Sequence, residues 1–483
     1  MKTMFGAVAA LAVLAGAAPL ESSWAQTTPT QPIAGPPARA DQLEFRALYK
    51  ELVEIDTTLS NGSCTRAAEA MGARLRAAGF PAADVQVLAP ADRPRDGNLV
   101  AVLRGSNRRL PALLLLAHID VVEARREDWT RDPFTFIEEG GYFYARGVAD
   151  DKAMAAVFTD SLIRFRRENY RPRRDIKLAL TCGEETSDTH NGVEWLLENH
   201  RPLLQAGFAL NEGAGGRLDA QGNRVALGVQ AGEKIYQDFT FETTNPGGHS
   251  SRPYKENAIY RLSAALAKIQ AHDFPVELND ATRLFFTRNA DITGGDMGAA
   301  MRALVANPAN AAAAANVSRD PSYNSMLRTT CVATMVNAGH APNALPQRAR
   351  ANVNCRILPG HTAGEVKADL ERVIADPQIT VSVAAEPDPV SPPPQLTPAV
   401  LAPIEQIAAR MWPGVPVVPT MATGATDGRF LNHAGITTYG FSAMFGDPDG
   451  NGAHGLNERI RVRSVYEGRD FLHELVKVYA SRR

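Results

Sequence analysis

Short apolar runs that alternate with helical patterns constrain the first half of this 483-residue chain more than any other feature. The apolar runs lie at 98–103, 111–117, 176–182 and 208–210, and the helical patterns at 65–78 and 152–167. Strands that are apolar at nearly every position are buried on both faces, which is typical of parallel sheets. The sequence therefore predicts an α/β fold, a mostly parallel sheet with helices on both faces.

From residue 236 the pattern changes to that of a smaller unit. Predicted strands and helices follow in the order strand, helix, strand, strand, helix, strand, and the first five lie at 236–243, 257–271, 329–336, 349–358 and 364–375. This order predicts an inserted α+β domain over 236–388, which ends at a Pro-rich stretch. The main domain then comprises 41–235 and 389–483. The Ala/Asn-rich segment between residues 274 and 323 is expected to be a helical excursion of the insertion.

Residues 1–25 have the pattern of a secretory signal peptide. A positively charged start precedes an apolar stretch over 5–20, and small residues around Ala25 predict cleavage there. A membrane anchor is the alternative, but the stretch is shorter than the ~20 residues that span a bilayer and contains Pro19. We therefore predict a periplasmic or secreted protein without membrane insertion after cleavage, in which 26–40 is a disordered leader.

Overall charge and cysteine content exclude several partners and folds. The 51 basic and 53 acidic residues nearly cancel, so no global field attracts nucleic acid, and none is expected as a partner. Four scattered cysteines without a C-x-x-C pair form neither a disulfide scaffold nor a metal site. Cys331 and Cys355 lie in two predicted strands, so a cross-strand disulfide is one option. Two buried thiols are the preferred interpretation.

A histidine and an aspartate follow the apolar run 111–117. Residues two apart share a face of an extended chain, so His118 and Asp120 are expected to project together from the carboxyl end of a buried strand. Ligands of open α/β sheets bind at that edge. A carboxylate beside a histidine fixes its tautomer, as metal-bound imidazoles require. Alone, this motif is more typical of an ordinary capped strand end.

Acidic residues stand at three further points in the chain. Asp150 and Asp151 precede a helical pattern, where N-capping alone could explain them. Glu184 and Glu185 follow 176–182, and Glu212 follows 208–210. Adjacent carboxylates repel each other, and a cation between them removes that cost.

These residues are compatible with a metal centre only if they converge. The candidate ligands are His118, Asp150, Glu185, Glu212 and, in a glycine-flanked loop, His454. Imidazole and carboxylate donors suit zinc, and less exclusively manganese or cobalt. Five ligands exceed what one tetrahedral ion with an open position needs. A shared aspartate that bridges two ions explains the excess.

The motifs Ala-His-Ile-Asp, Arg-Gly-Val-Ala-Asp-Asp-Lys, Cys-Gly-Glu-Glu, Leu-Asn-Glu-Gly and Ala-His-Gly-Leu-Asn-Glu resemble, in order and spacing, those of metallopeptidase family 20. That family comprises di-zinc aminoacylases, carboxypeptidases and dipeptidases. The resemblance implies two zinc ions per subunit, one held by His118, Asp150 and Glu212 and the other by Asp150, Glu185 and His454. It also implies Glu184 as the general base, Asp120 as the support of His118, and a cis peptide after Asp150.

The resemblance also implies that the insertion is a lid and dimerisation domain, through which a homodimer is expected. His249 in Pro-Gly-Gly-His would help to hold the oxyanion, often in the neighbouring subunit's site. Asn343 and Arg356 resemble substrate-holding positions, and Arg356 is a natural partner for a free carboxylate. An isolated strand arginine also fits a structural ion pair. Gly424 and Asp427 belong to a further site loop.

The expected activity is metal-assisted hydrolysis of an amide bond next to a free carboxylate. A carboxypeptidase or dipeptidase that acts on small peptides is preferred because an exported protein meets peptides. An N-acyl amino acid deacylase is the alternative. An inert zinc-binding peptide receptor of the same fold is disfavoured because binding alone does not require Glu184. A serine hydrolase is excluded because Met444 replaces the second glycine of the G-x-S-x-G motif.

Overall fold

A computed structural model describes residues 37–186, 188–384 and 389–482. The expected signal peptide at 1–25 and most of the expected leader at 26–40 lie outside the described residues, although the first helix begins at Ala40. No helix within the described part of the chain combines the length and the apolar character that crossing a bilayer requires.

The helices are α1 (Ala40–Glu54), α2 (Cys64–Ala77), α3 (Lys152–Arg167), α4 (Gly192–Leu204), α5 (Ala258–Gln270), α6 (Asp280–Thr293), α7 (Gly295–Ala306), α8 (Ala311–Val317), α9 (Pro321–Leu327), α10 (Ala363–Ile374), α11 (Pro398–Met411), α12 (Gly428–His433) and α13 (Val462–Ser481). The strands are β1 (Val85–Leu88), β2 (Asn98–Leu103), β3 (Leu113–His118), β4 (Ile137–Glu139), β5 (Tyr142–Tyr144), β6 (Ile176–Thr181), β7 (Phe208–Asn211), β8 (Gly216–Leu218), β9 (Arg224–Glu233), β10 (Ile235–Thr244), β11 (Gly248–His249), β12 (Thr330–Ala338), β13 (Ala344–Leu345), β14 (Arg348–Ile357), β15 (Thr380–Val383), β16 (Val417–Ala422), β17 (Thr437–Gly440), β18 (Phe445–Gly446) and β19 (Arg459–Arg461).

The main sheet has the order β1-β2-β6-β3-β7-β17-β9-β8-β18, and β16 also pairs with β9. Its centre, β6-β3-β7-β17, is parallel. Strand β3 shows why the run is apolar throughout. Leu113 and Leu115 pack into the core under α1, α2, α3 and α13, whereas Leu114 and Leu116 face α4 and α12 on the other side. The predicted α/β fold with helices on both faces is confirmed.

The insertion forms its own antiparallel sheet of order β12-β14-β10-β15. Alternate residues of this sheet, including Phe239, Phe241 and Val353, pack against α5 and α10. Local signals fix the helix ends, since the side chains of Thr362 and Glu365 form a capping box at α10. The strands and helices follow one another in the predicted order, so the α+β character of the insertion is confirmed.

The segment before β12 is helical, as expected, but its packing was not foreseen. Helices α6 to α9 form a separate apolar cluster around Phe286 and Met301. This cluster includes Ala226 of β9 and Val418 of β16, which belong to the main sheet. The four helices therefore cover the main sheet rather than the sheet of the insertion.

All four cysteines are paired. The register of β12 on β14 places Cys331 directly opposite Cys355, and the two form a disulfide. The preferred interpretation as two buried thiols is therefore wrong. A second disulfide joins Cys64, at the start of α2, to Cys182, just after β6. The sequence offered no sign of this pairing because 118 residues separate the two cysteines.

Candidate metal centre

Three candidate ligands lie at the carboxyl ends of neighbouring parallel strands. His118 is the last residue of β3 and lies opposite Thr181, the last residue of β6. Glu185 follows β6 by a short turn, and Glu212 directly follows β7, the other neighbour of β3. Strands β3, β6 and β7 run in the same direction, so their polar ends converge on one edge of the sheet.

The remaining two ligands reach this edge from loops. Nε2 of His118 lies 3.0 Å from Oδ1 of Asp150, and Nε2 of His454 lies 3.4 Å from Oδ2 of the same carboxylate. Glu185 Oε2 is 2.7 Å from His454 Nε2, and Glu212 Oε2 is 3.7 Å from His118 Nε2. Asp150 therefore offers one oxygen towards each histidine. The peptide bond between Asp150 and Asp151 is cis, as the resemblance implied.

Burial and crowding perturb the acids of this cluster. Burial raises the pKa of Glu212 to about 8 and that of Glu185 to about 7. Burial, and then Glu212, also raise the pKa of Glu184 well above its usual range. The hydrogen bond to Asp150 raises the pKa of His454 to about 9. A divalent cation among these crowded, buried groups would stabilise their deprotonated forms, and the donor set fits zinc.

Asp120 supports the cluster in two ways. His118 Nδ1 donates a hydrogen bond to the backbone carbonyl of Asp120 at 3.1 Å, while the carboxylate of Asp120 is 3.7 Å away. That carboxylate instead accepts hydrogen bonds from the backbone N–H groups of Glu184 at 3.3 Å and Glu185 at 3.0 Å. Asp120 therefore orients the imidazole through its main chain and the acidic turn through its side chain.

Two buried acids were missed by the sequence analysis. Asp151 is 2% exposed, and its Oδ2 has no hydrogen-bond partner among the described residues. Its carboxylate forms a potential three-ligand metal group with His118 and Glu212. Glu458 is fully buried beside the Asp150 loop. Both acids lie within the motifs used to establish the family resemblance, which was the only signal for them in the sequence.

The candidate residues of the insertion do not join the cluster. His249 is exposed and lies 2.8 Å from Ser251 Oγ. Pairing of β11 with β13 brings it beside Asn343, whose carbonyl accepts a hydrogen bond from Ser250 N. No hydrogen bond or ion pair within the described ranges links His249 or Asn343 to the metal-ligand candidates.

Arg356 lies near the opposite end of the insertion's sheet. It is eight residues along β14 from Arg348, or about 26 Å at ~3.3 Å per residue. Its guanidinium lies 4.6 Å from the ring centroid of Tyr236, the residue opposite it on β10. His249 and Asn343 lie near the start of β14 and Arg356 near its end, so the three candidate substrate residues of the insertion are in two separate places.

The last candidate loop follows β16. Gly424 is exposed on it, whereas Asp427 is 1% exposed. Oδ2 of Asp427 accepts a hydrogen bond from Thr181 Oγ1 at 3.1 Å, and Oδ1 accepts one from Asn191 Nδ2 at 2.5 Å. Burial raises the pKa of this carboxyl group. Asp427 therefore anchors loops beneath the strand ends.

A cavity of about 300 Å³ opens beside the cluster. Asp150, Asp151 and Glu212 line one side of it, and Met154 and Met444 contribute apolar surface. This volume is at the lower end of the range for small-molecule sites, roughly 300–1,000 Å³. The cavity provides room for a small group next to the candidate metal ligands.

Comparison with known proteins supports the resemblance to metallopeptidase family 20 that the sequence motifs show. The model of peptidase family M20/M25/M40 matches residues 114–478, more than half of the chain. N-fatty-acyl-amino acid synthase/hydrolase PM20D1 of Mus musculus is 29% identical over 398 residues, covering 78% of this chain and 75% of the relative. Probable carboxypeptidase S-like 2 of Dictyostelium discoideum is 28% identical over 393 residues, covering 79% and 74%.

The fold has a solved counterpart. The M20 family metallo-carboxypeptidase Sso-CP2 from Sulfolobus solfataricus superposes with a TM-score of 0.67 at 19% identity, covering 90% of this chain and 99% of that one. The match extends over both the main sheet and the insertion. The chain therefore belongs to peptidase family M20/M25/M40 and is a metal-binding enzyme of the metallopeptidase and amidohydrolase type.

Proposed function

We propose that this protein hydrolyses the amide bond that precedes a free carboxylate and so releases an amino acid from short peptides. Two zinc ions per subunit would be held by His118, Asp150 and Glu212 and by Asp150, Glu185 and His454, and cobalt or manganese could use the same donors. The observation that carries the proposal is the position of Asp150, which presents one oxygen to each histidine.

The residues of the chain have separate tasks in this reaction. When bound, a pair of divalent cations supplies Lewis acidity and lowers the pKa of water. Glu184 would take the proton of the attacking water on its carboxylate and deliver it to the leaving nitrogen. The hydrogen bonds from the Glu184 and Glu185 N–H groups to Asp120 hold the acidic turn in place during these transfers.

Short peptides are our first choice of substrate because an exported enzyme would meet peptides. A cavity of about 300 Å³ beside the candidate ligands leaves room for a small residue. N-acyl amino acids are the second candidate class. They are favoured by the 29% identity to a relative named as an N-fatty-acyl-amino acid synthase/hydrolase.

Steady-state rates on a substrate panel distinguish these classes. The panel contains X-Gly dipeptides, Gly-X dipeptides, N-acetyl amino acids and N-fatty-acyl amino acids, with zinc-loaded and chelator-treated protein compared throughout. We expect zinc-dependent kcat/KM to be highest on a dipeptide. A higher value on an acylated amino acid would identify the second class. No turnover on any substrate by metal-loaded protein would contradict the proposal and favour a peptide receptor.

We also propose that two copies associate through the insertion. Strand β12 is an edge strand of that sheet, with one side unpaired among the described residues. It exposes Val332, Met335 and Val336 to 60%, 71% and 61%. An apolar edge strand is a ready surface for pairing with another chain. In such a dimer the exposed His249 would be free to approach the partner's site.

Export is proposed on the basis of the disulfides and the signal-like N-terminus. Disulfides persist in oxidising compartments and are rare in the cytosol. Both cysteine pairs of this chain are bridged, including Cys64 and Cys182 close to Glu184. We therefore propose a periplasmic or secreted enzyme.

Mass measurements on protein from the periplasmic fraction test both location and assembly. We expect a chain that begins at Gln26, no thiol reactive with alkylating agents before reduction, and a native mass twice that of the chain by light scattering. An uncleaved chain or four free thiols would contradict export. A native mass equal to one chain at micromolar concentration would contradict the dimer.

A further inference from the structure

Glu458 is fully buried, and it binds the loop that carries Asp150. One carboxylate oxygen accepts hydrogen bonds from Arg146 Nη1 at 2.8 Å and Gly147 N at 2.9 Å. The other accepts them from Ala149 N at 2.8 Å and Asp150 N at 3.1 Å. The charged carboxylate of Glu458 therefore fixes the backbone from Gly147 to Asp150, the proposed bridging ligand.

Arg146 extends this link to the loop that carries His454. Its Nη2 donates a hydrogen bond to the carbonyl of Gly455 at 2.8 Å, next to His454. Its guanidinium is 3% exposed and lies 5.0 Å from the ring centroid of Trp129. The side chain of His454 is 60% exposed and its ring contacts Asp150 and Glu185, so the hydrogen bond to Gly455 adds a restraint on its main chain. The Arg146–Glu458 pair thus connects both loops at the point where Asp150 and His454 meet.

We propose that Glu458 and Arg146 are positioning residues that set the distance between Asp150 and His454 and thereby the affinity for the metal ion that these two ligands share. This inference rests on the two-ion centre of the proposed function. Neither the Glu458 carboxylate nor the Arg146 guanidinium is a ligand in the proposed centre. Each acts through the backbone of a loop, as partners of metal ligands commonly do.

The chemistry of the carboxylate predicts which substitution is informative. Glu458 accepts two N–H groups on each of its oxygens. Glutamine has one acceptor oxygen, so in Glu458→Gln an NH2 group would face two other donors. Arg146→Lys keeps the positive charge next to Glu458. A single ammonium group cannot reproduce the planar fork that joins Glu458 to Gly455.

A buried ion pair of the same kind provides the matched control. Arg469 is 1% exposed and donates from Nε to Asp160 Oδ2 at 2.8 Å. Asp160 lies in α3, ten residues after Asp150 in the sequence, and no hydrogen bond or ion pair in the described ranges joins it to the cluster. Asp160→Asn should lower the melting temperature without changing the spacing of the ligand loops.

The experiment measures zinc affinity by competition with a chelator, the absorption spectrum of the cobalt-loaded protein, and the melting temperature. We expect Glu458→Gln and Arg146→Lys to weaken the binding of one of the two ions about 10–100-fold and to change the cobalt spectrum. Asp160→Asn should leave both unchanged. If Glu458→Gln does not fold, Arg146→Lys decides the question by the same readouts.

Wild-type affinity and spectra in both site variants would overturn the inference, as would an equal loss of zinc affinity in Asp160→Asn. A different result would contradict the proposed function. A wild-type protein that binds two ions but cleaves no member of the substrate panel would contradict that function and leave this inference intact. A wild-type protein that binds no zinc or cobalt would overturn both, and this result is seen before any variant is made.

Discussion

Replacing Glu184 with glutamine is expected to lower kcat about 10²–10⁴-fold while both metal ions stay bound, because glutamine keeps the shape of the side chain but cannot accept a proton. The backbone of this residue is held by Asp120, so the turn should keep its conformation. Steady-state kinetics and the metal content of the same preparation test this expectation. KM should change far less than kcat because the substituted group acts on the transition state.

The control for this variant is Asp188→Asn, which removes an exposed carboxylate a few residues further along the same loop. That substitution should leave kcat and metal content unchanged. Wild-type turnover by Glu184→Gln would show that another group is the base. Loss of one metal ion from Glu184→Gln would instead place Glu184 among the ligands.

Replacing Asp150 with asparagine should release both metal ions and abolish activity. Its two oxygens lie 3.0 Å and 3.4 Å from the two histidines. Asparagine has one oxygen and an NH2 group, so it cannot offer an anionic donor to two cations. We expect zinc affinity to fall at least about 10–100-fold, the range seen when groups that merely support ligands are lost. Metal content after dialysis against a chelator measures the change.

A second Asp–His pair supplies the control for this substitution. Asp92 Oδ2 lies 2.9 Å from His190 Nε2, and both residues are exposed. Asp92→Asn removes a carboxylate from an imidazole in the same way, away from the cluster, and should keep both ions. An Asp150→Asn protein that retains two ions per chain under the same dialysis would rule out Asp150 as the bridge.

Much of the fold and of the metal site could be predicted because the relevant signals are local. The run before His118 is apolar at every position, since β3 is buried on both faces. The acids and the histidine at strand ends identify the functional edge of the sheet because parallel strands end together. The insertion was recognised from its alternating strands, which bury Phe239 and Val353 on one face only.

The sequence was less informative about the residues of the insertion. His249 and Arg356 resemble positions of a single substrate site, yet β14 separates their locations by most of its length. A motif specifies the type of residue and its order in the chain. It does not specify the distance between two loops, which depends on how the strands between them are paired.

The sequence by itself determined the two sheet patterns and the donor types of the candidate metal centre, because strand periodicity and side-chain chemistry are properties of short segments. The role of Glu184 as the base stays a prediction. Only the tertiary structure decided how close His454 comes to Asp150, that Cys64 meets Cys182, that α6 to α9 cover the main sheet, and that Glu458 holds the Asp150 loop. These contacts join residues far apart in the chain. They depend on how whole elements pack around a shared core, and no short segment of the sequence specifies that packing.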